Sequence, residues 1–86
     1  MVMSRWLVYI LRCRDGSYYT GITNNLDKRL REHGDGRGSK YVRSRRPFSL
    51  VYSEEASGRG HAQRRESAIR RMTRQGKRTL IAKWPG

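Results

Sequence analysis

The part of the chain that most constrains its fold is a pair of apolar and aromatic runs on either side of Asp15-Gly16. Residues 6–11 are apolar at successive positions, which is typical of a central strand covered on both faces. Asp-Gly is a strong signal for a tight hairpin turn, and residues 17–22 are rich in aromatic and β-branched side chains. The sequence therefore predicts an antiparallel hairpin that brings Tyr9 and Tyr19 onto neighbouring strands.

A helix and then a basic loop are predicted after the hairpin. Asn24 or Asn25 is a suitable N-cap and Asp27 favours the first helical turn, so a helix is expected from there to Gly34. Residues 34–47 combine glycines with several arginines, which predicts a mobile, positively charged loop.

The second half of the chain supplies a third strand and two helices. Phe48–Tyr52 is short and suits an edge strand. A helix is predicted from about residue 59 to about residue 74, with Gly76 breaking it, and residues 77–84 are expected to form a last short helix that packs on the core. The fold class is therefore α+β: a small three-stranded antiparallel sheet flanked by helices, in one domain spanning residues 1–86.

The charge of the chain indicates a polyanionic partner. Lysine and arginine number 20 against 7 acidic residues, a formal net charge of +13. Most of these cations are arginines, whose guanidinium groups suit bidentate contacts with phosphate. Nucleic acid is the expected partner, with binding that weakens as salt rises. A bias towards arginine codons and a need for solubility are the alternative explanation.

Cysteine content and hydropathy exclude several kinds of structure. The single cysteine, Cys13, excludes an internal disulfide, and with two histidines it cannot complete a four-ligand zinc site. The apolar run within residues 1–11 is too short to span a bilayer and lacks a signal-peptide cleavage pattern. We expect a cytoplasmic protein with a reduced thiol.

The predicted hairpin carries two triplets, Val8-Tyr9-Ile10 on its first strand and Tyr19-Thr20-Gly21 on its second. These triplets resemble the first and second motifs of the GIY-YIG nucleases. Farther along, Arg29 and His33 resemble the family's first helix, where an arginine is followed four residues later by a tyrosine or a histidine. Glu66 falls where the family carries its metal-binding glutamate. The resemblance covers nearly the whole chain and is strongest to the small stand-alone bacterial members, the YhbQ-like proteins.

The resemblance implies an endonuclease or phosphodiesterase that acts on DNA with one Mg²⁺ or Mn²⁺ ion. Tyr19 would accept a proton from the attacking water, and Tyr9 would orient Tyr19 by a hydrogen bond. His33 would assist the base or contact phosphate. Arg29 would offset charge on the cleaved phosphate, and Glu66 would hold the metal. Ionising a free tyrosine near pH 7 costs about 4 kcal/mol, so a tyrosine base needs cations nearby.

The same residues also support structural interpretations. On a helical wheel His33 lies within about 20° of Leu26, so it could be a half-buried histidine bonded to a backbone carbonyl. Arg29 could cap the edge of the sheet. Glu66 could form an i,i+4 ion pair with Arg70, although it lies at the margin of the apolar face of its helix, where a carboxylate is well placed to hold Mg²⁺.

The basic loop and the C-terminal region supply candidate nucleic-acid contacts. A tyrosine in the loop, Tyr41, could stack on an exposed base or could pack against the domain. Tyr18 should point to the opposite sheet face from Tyr19 and is expected to be packing. The candidate nucleic-acid-binding residues are Lys40, Tyr41, Arg43, Arg45, Arg46 and Lys77.

Three positions depart from the family pattern. Ile22 stands where several members carry a lysine, and the first triplet begins with Val8 instead of glycine. No asparagine follows Asn25, although many members carry one after the metal-binding glutamate. Lys77 or Thr79 could substitute for it.

Other functions are compatible with the sequence. The first alternative is a non-catalytic basic nucleic-acid-binding module on the same scaffold, and the second is a protein that docks on ribosomal RNA or an acidic partner. DNA is expected in preference to RNA, and another protein could supply specificity. Membrane attachment is least expected, because the basic helix lacks a broad apolar face.

Overall fold

The structure is a computed structural model in which residues 5–86 are described. The beginning of the apolar run predicted within residues 1–11 lies outside that range. Three strands form one antiparallel sheet in the order β2-β1-β3, with β1 at its centre. The α+β class and the central position of the first strand are confirmed. The elements are β1 (Trp6–Cys13), β2 (Tyr18–Thr23), α1 (Leu26–Gly34), α2 (Lys40–Arg43), β3 (Phe48–Ala56), α3 (Arg59–Arg70) and α4 (Arg74–Ala82).

The hairpin turn forms because Gly16 supplies a positive φ of 83° and Asp15 ties the turn together. The Asp15 carboxylate accepts hydrogen bonds from the amide and the hydroxyl of Ser17 at 3.0 and 2.6 Å. The register pairs Tyr9 with Gly21 and Leu11 with Tyr19. The predicted placement of the two tyrosines on neighbouring strands is confirmed.

Both faces of the sheet are covered, because successive side chains of β1 alternate between them. We call the two sides the α1 face and the α3 face. Tyr18 packs on the α3 face, as predicted, and Tyr19 on the α1 face. The buried hydrophobic residues of the α1 face are Tyr9, Leu11 and Val42, and those of the α3 face are Val8, Ile10, Tyr52, Ala62 and Ile69.

The first helix begins and ends where the sequence predicts. The side chain of Asn25 accepts a hydrogen bond from the amide of Lys28, with Asp27 in the first turn. Leu26 and Leu30 pack on the α1 face. The helix ends at Gly34, and its apolar stripe carries His33 into the core.

The prediction of a mobile loop over residues 34–47 is wrong for its middle part. The segment contains the short helix α2, which is capped by the side chain of Ser39. Val42 is fully buried on the α1 face, and the Arg45 amide bonds to the Val42 carbonyl. The buried valine and the serine cap help to order the segment, and the surrounding arginines concealed this signal in the sequence.

Two further boundaries differ from the prediction. β3 extends beyond Tyr52 to Ala56, because Glu54 finds a cationic partner, Arg65, on α3. The helix predicted to reach residue 74 ends at Arg70, and Thr73 caps the next helix by accepting from the amide of Gly76.

Gly76 therefore lies within the first turn of α4 and does not break the preceding helix. Leu80 and Ile81 of α4, and Trp84 just after it, pack against the α3 face, so the predicted packing on the core is confirmed. The helix spans Arg74–Ala82 instead of the predicted residues 77–84. Among residues 5–86, no helix has the length and apolar content needed to cross a membrane.

Candidate active site

Tyr9 and His33 form a buried pair at the centre of the α1 face. The Tyr9 hydroxyl and His33 Nε2 are 2.8 Å apart, and both side chains are fully buried. β1 places the tyrosine and the last turn of α1 places the histidine. His33 is therefore bonded to a tyrosine and not to a backbone carbonyl, and its burial leaves no surface for a phosphate to touch.

Two glycines make room for this pair. A Cβ added at Gly21 would lie 2.5 Å from the Tyr9 hydroxyl oxygen, and one at Gly38 would lie 2.5 Å from His33 Nδ1. Gly21 is the glycine of the second triplet, so the triplet's third residue serves close packing across the hairpin. The role of Gly38 was missed from sequence, where it was assigned to loop flexibility.

The second ring nitrogen of His33 is unusual. Nδ1 is buried and has no hydrogen-bond partner within residues 5–86. Buried N–H groups without a partner are rarer than buried acceptors without one, which favours a bare Nδ1 and an Nε2–H that donates to the Tyr9 oxygen. This tautomer leaves the Tyr9 hydroxyl proton available for another acceptor.

The electrostatics keep both members of the pair uncharged near neutral pH. Burial raises the pKa of Tyr9 to about 12, and the charges of Tyr19 and Glu66 add to this, while Arg29 acts in the opposite direction. Burial also lowers the pKa of His33, with a further contribution from the positive charge of Arg29. Tyr9 is thus a hydrogen-bonding phenol and not a ready base.

Arg29 lies on α1 beside this pair and is held by its own contacts. Its guanidinium bonds to the Gly38 carbonyl at 3.0 Å and to the Glu32 carboxylate at 3.3 Å. Its positive charge acts to lower the pKa of both Tyr9 and His33. Arg29 therefore places a fixed positive charge next to the tyrosines and does not merely cap the sheet edge.

Tyr19 connects the buried pair to the protein surface. The centroid of its ring is 6.4 Å from that of Tyr9 and 5.3 Å from that of His33, and on its other side 6.1 Å from the stacked ring of Tyr41. The ring is partly exposed in a groove of about 200 Å³. We call this the tyrosine groove; it is lined by Tyr18, Tyr19, Thr20, Tyr41, Arg70 and Lys77.

The groove contains one cation that sequence reasoning did not assign to the site. Arg70 was considered only as an ion-pair partner of Glu66, yet no such pair forms within 4.0 Å in the described chain, and Arg70 lines the groove instead. Its position four residues after Glu66, on the same side of α3, was the available signal.

Glu66 is half-buried on α3, and within residues 5–86 it has neither an ion pair nor a hydrogen bond. Its charge contributes to the raised pKa of Tyr9, which places it within electrostatic range of the buried pair. Most other carboxylates of the chain are bound to arginines. Those in ion pairs are Asp15, Glu32, Asp35, Glu54 and Glu55.

The donor set at Glu66 fits a hard divalent cation. An unpaired carboxylate is the kind of ligand that Mg²⁺ and Mn²⁺ accept, and Mg²⁺ commonly binds one or two carboxylates, waters and substrate phosphate oxygens. Residues 5–86 contain no cluster of three or more His, Cys, Asp or Glu side chains suited to a metal. Glu66 would thus be the protein's principal ligand.

The predicted nucleic-acid-binding residues do not form a single surface. Lys77 lines the tyrosine groove, and Lys40 is exposed at the start of α2. Arg45 is held internally, with its guanidinium 3.8 Å from the centre of the Tyr41 ring and its Nε 3.1 Å from Asp15. Tyr41 is 37% exposed, but it packs on the domain. Arg43 and Arg46 line a separate cleft with Arg14.

The positions that depart from the family pattern lie away from the buried pair. Val8 is fully buried on the α3 face, and Ile22 packs against the same side. Of the two residues considered as substitutes for the missing asparagine, Lys77 lines the groove, whereas the Thr79 hydroxyl bonds to the Gln75 carbonyl within α4. Only Lys77 therefore shares a cavity with Tyr19.

The two triplets, the first helix and Glu66 all lie within a segment that matches a family model. Residues 5–79 match the model described as the GIY-YIG catalytic domain. The chain therefore belongs to the GIY-YIG family. This domain implies a nucleic acid substrate in general, and nucleases of the family generally use a divalent metal.

Similar proteins within the family are bacterial UPF0213 proteins. One from Clostridium perfringens is 51% identical over 75 residues, which cover 87% of this chain and 81% of that protein. The solution structure of a UPF0213 protein from Bacillus halodurans matches with a TM-score of 0.59 at 40% identity, over 91% of this chain and 83% of the other. A protein from E. faecalis matches with a TM-score of 0.65 at 33% identity, over 93% and 85%.

Proposed function

We propose that this protein is a metal-dependent phosphodiesterase that cleaves nucleic acid, DNA in preference to RNA, in the tyrosine groove. One observation carries the proposal: the Tyr19 ring lies between a buried, hydrogen-bonded Tyr9–His33 pair and a surface groove that also contains Arg70 and Lys77. A phenol with a buried, polar side and a solvent-facing, cationic side is suited to proton transfer next to a bound phosphate.

In this mechanism Tyr19 accepts the proton of the attacking water. Tyr9 stays protonated, because burial raises its pKa to about 12, and it orients Tyr19 through its hydroxyl. His33 holds the Tyr9 oxygen by a hydrogen bond of 2.8 Å. Arg29 stabilises the phenolate form in which Tyr19 can accept this proton. It also stabilises the negative charge that develops on the phosphate as the water oxygen bonds to phosphorus and the bond to the leaving oxygen breaks.

Glu66 is the residue that would hold the divalent cation. When bound there, such an ion supplies charge stabilisation for the leaving oxygen. Since Glu66 has no competing arginine partner in the described chain, its carboxylate can bind a cation without first breaking an ion pair.

Substrate binding falls to the surrounding cations. Lys77 and Arg70 contact phosphates beside the cleaved bond, and Lys40, Arg43 and Arg46 contact the backbone farther away. Arg45 holds Tyr41 in place through its guanidinium, in addition to the positive charge that it adds to this surface.

The experiment that tests the proposal is a cleavage assay of the full chain on duplex, flapped, branched and single-stranded DNA and RNA, with Mg²⁺, with Mn²⁺ and with chelator. Tyr19→Phe should reduce turnover at least about 100-fold, the usual contribution of a positioned base. Glu66→Gln should abolish the metal-dependent cleavage. Glu55→Gln, which removes the same charge from an exposed ion pair, is the matched control and should cleave normally.

The assay also separates catalysis from binding. Cleavage that persists in Tyr19→Phe would refute the assignment of the base. Salt-sensitive binding without cleavage by the wild-type protein on any substrate, unchanged by Glu66→Gln, would identify a non-catalytic binding module instead.

A further inference from the structure

A second cationic surface lies outside the tyrosine groove. A cleft of about 560 Å³ opens where the hairpin, the end of α1 and the segment after α2 meet. We call it the basic cleft; it is lined by Arg14, Gly34, Arg43, Ser44, Arg46, Pro47 and Phe48. Three of these seven residues are arginines and none is acidic.

The arginines of the cleft lack countercharges in the described chain. Neither Arg14 nor Arg43 makes a side-chain hydrogen bond or ion pair within residues 5–86. Two carboxylates adjacent in sequence to the cleft are already occupied: Asp15 binds Arg45, and Asp35 binds Arg37. The positive charge of the cleft is therefore not neutralised by these neighbours.

Hydrogen bonds to main-chain carbonyls hold the cleft in shape. The Arg46 guanidinium donates to the Gly34 carbonyl at 2.7 Å and to the Arg43 carbonyl at 3.1 Å, which joins the end of α1 to the end of α2. A guanidinium has five N–H donors, so three remain after these two bonds. The backbone amide of Arg14 donates to the Arg45 carbonyl at 2.9 Å, which fixes the backbone of Arg14, the third arginine of the cleft.

The cleft and the tyrosine groove lie on either side of α2. Tyr41, at the start of this helix, lines the groove, and Arg43, at its end, lines the cleft. A polyanion that leaves the groove past Tyr41 therefore meets Arg43 within one helical turn. Clustered guanidinium groups with free donors bind phosphate oxygens in bidentate geometry.

We propose that the basic cleft is a second phosphate-binding site, which takes the nucleic-acid backbone on the far side of α2 from the cleaved bond. This proposal deepens the proposed function and assigns Arg14, which no motif of the sequence singled out, to substrate binding. Arg14 and Arg43 contact phosphate directly, and Arg46 contributes its free donors while it holds the cleft together.

The test is equilibrium binding of the full chain to a fluorescent DNA oligonucleotide in chelator, so that no cleavage occurs, across a range of KCl concentrations. Each of Arg14→Gln and Arg43→Gln should weaken binding and lower the magnitude of the slope of log affinity against log salt by about 1, and the double variant by about 2. Arg14→Lys, which keeps the charge, should retain the slope. Unfolding by urea confirms that each variant is folded.

Arg64→Gln is the matched control, because Arg64 is an exposed arginine on the opposite side of α3 from the core. The proposal is overturned if the double variant retains the wild-type slope or loses no more of it than Arg64→Gln does. If the cleft variants change the salt slope but the wild-type protein cleaves no substrate, the phosphate-binding cleft is upheld and the proposed nuclease activity is refuted. If the wild-type protein cleaves normally and the cleft variants keep its salt slope, the nuclease activity is upheld and the phosphate-binding cleft is refuted.

Discussion

The two faces of the sheet bury polar groups in opposite ways. On the α3 face, the Glu54 carboxylate receives bonds from Tyr52 at 2.6 Å and from Arg65 at 2.6 and 2.8 Å. On the α1 face, His33 bonds to Tyr9 but has a buried Nδ1 without a partner in the described chain. A satisfied network stabilises a fold, while an unsatisfied one is retained where it serves another purpose. The unsatisfied group thus lies on the face that carries Tyr9 and Tyr19, the tyrosines of the proposed mechanism, and the satisfied network lies on the opposite face.

The largest stability effect is expected from closing the space above Tyr9. Gly21→Ala would place a methyl group 2.5 Å from the Tyr9 hydroxyl oxygen, and the backbone of both strands prevents easy relief. We expect a loss of about 3 kcal/mol in the free energy of unfolding, measured with urea. Gly58→Ala, whose Cβ would meet nothing within 4 Å, should change it by less than about 0.5 kcal/mol. Equal effects of the two substitutions would show that Tyr9 is not tightly packed there.

A smaller loss is expected on the α3 face. Arg65→Met removes two short bonds from the half-buried Glu54 carboxylate, which keeps only Tyr52, so unfolding should become easier by about 2 kcal/mol. Arg5→Met breaks the exposed pair with Glu55 and should cost less than about 0.5 kcal/mol. Cleavage at saturating substrate should be unaffected by Arg65→Met. A loss of turnover in that folded variant would show that the Glu54–Arg65 network contributes to catalysis as well as to stability.

The smallest effect concerns pH. Burial lowers the pKa of His33, so protonation favours the unfolded chain, and the stabilising contribution of the neutral ring is complete above the free-histidine pKa of about 6.5 and declines below it. The free energy of unfolding should fall as the pH is lowered from 6.5 to 5.5. His33→Gln should show a flatter profile over this range. Parallel profiles for the two proteins would mean that His33 is protonated without penalty in the folded state.

The sequence was informative wherever a local signal decided the structure. The Asp15-Gly16 turn, the Asn25 cap and the continuous apolar run of β1 each depend on neighbours in the chain, and each was interpreted correctly. The residues grouped by the family motifs also come together: Tyr9, Tyr19, Arg29 and His33 lie within one neighbourhood of the α1 face.

The features missed from sequence depend on contacts between distant segments. β3 continues past Tyr52, where Glu54 and Glu55 meet arginines distant in the chain, and α2 buries Val42 in the core. Gly38 was interpreted as a flexible position, although its lack of a side chain accommodates the His33 ring. Arg70 could not be assigned to the groove until the placement of α3 against β2 was known.

The turn between β1 and β2 has a consequence for protein engineering. Exposed hairpin turns are ordinarily where a chain tolerates an inserted peptide or a new terminus. Here the Asp15 carboxylate holds Arg45, whose guanidinium covers Tyr41, and the Gly16 carbonyl accepts from Arg74, whose guanidinium lies 5.1 Å from the centre of the Tyr18 ring. Asp15 and Gly16 thus help to position Tyr41 and Tyr18, which line the groove. A tag or a circular permutation at this turn should therefore disturb the groove, and the chain should be extended elsewhere.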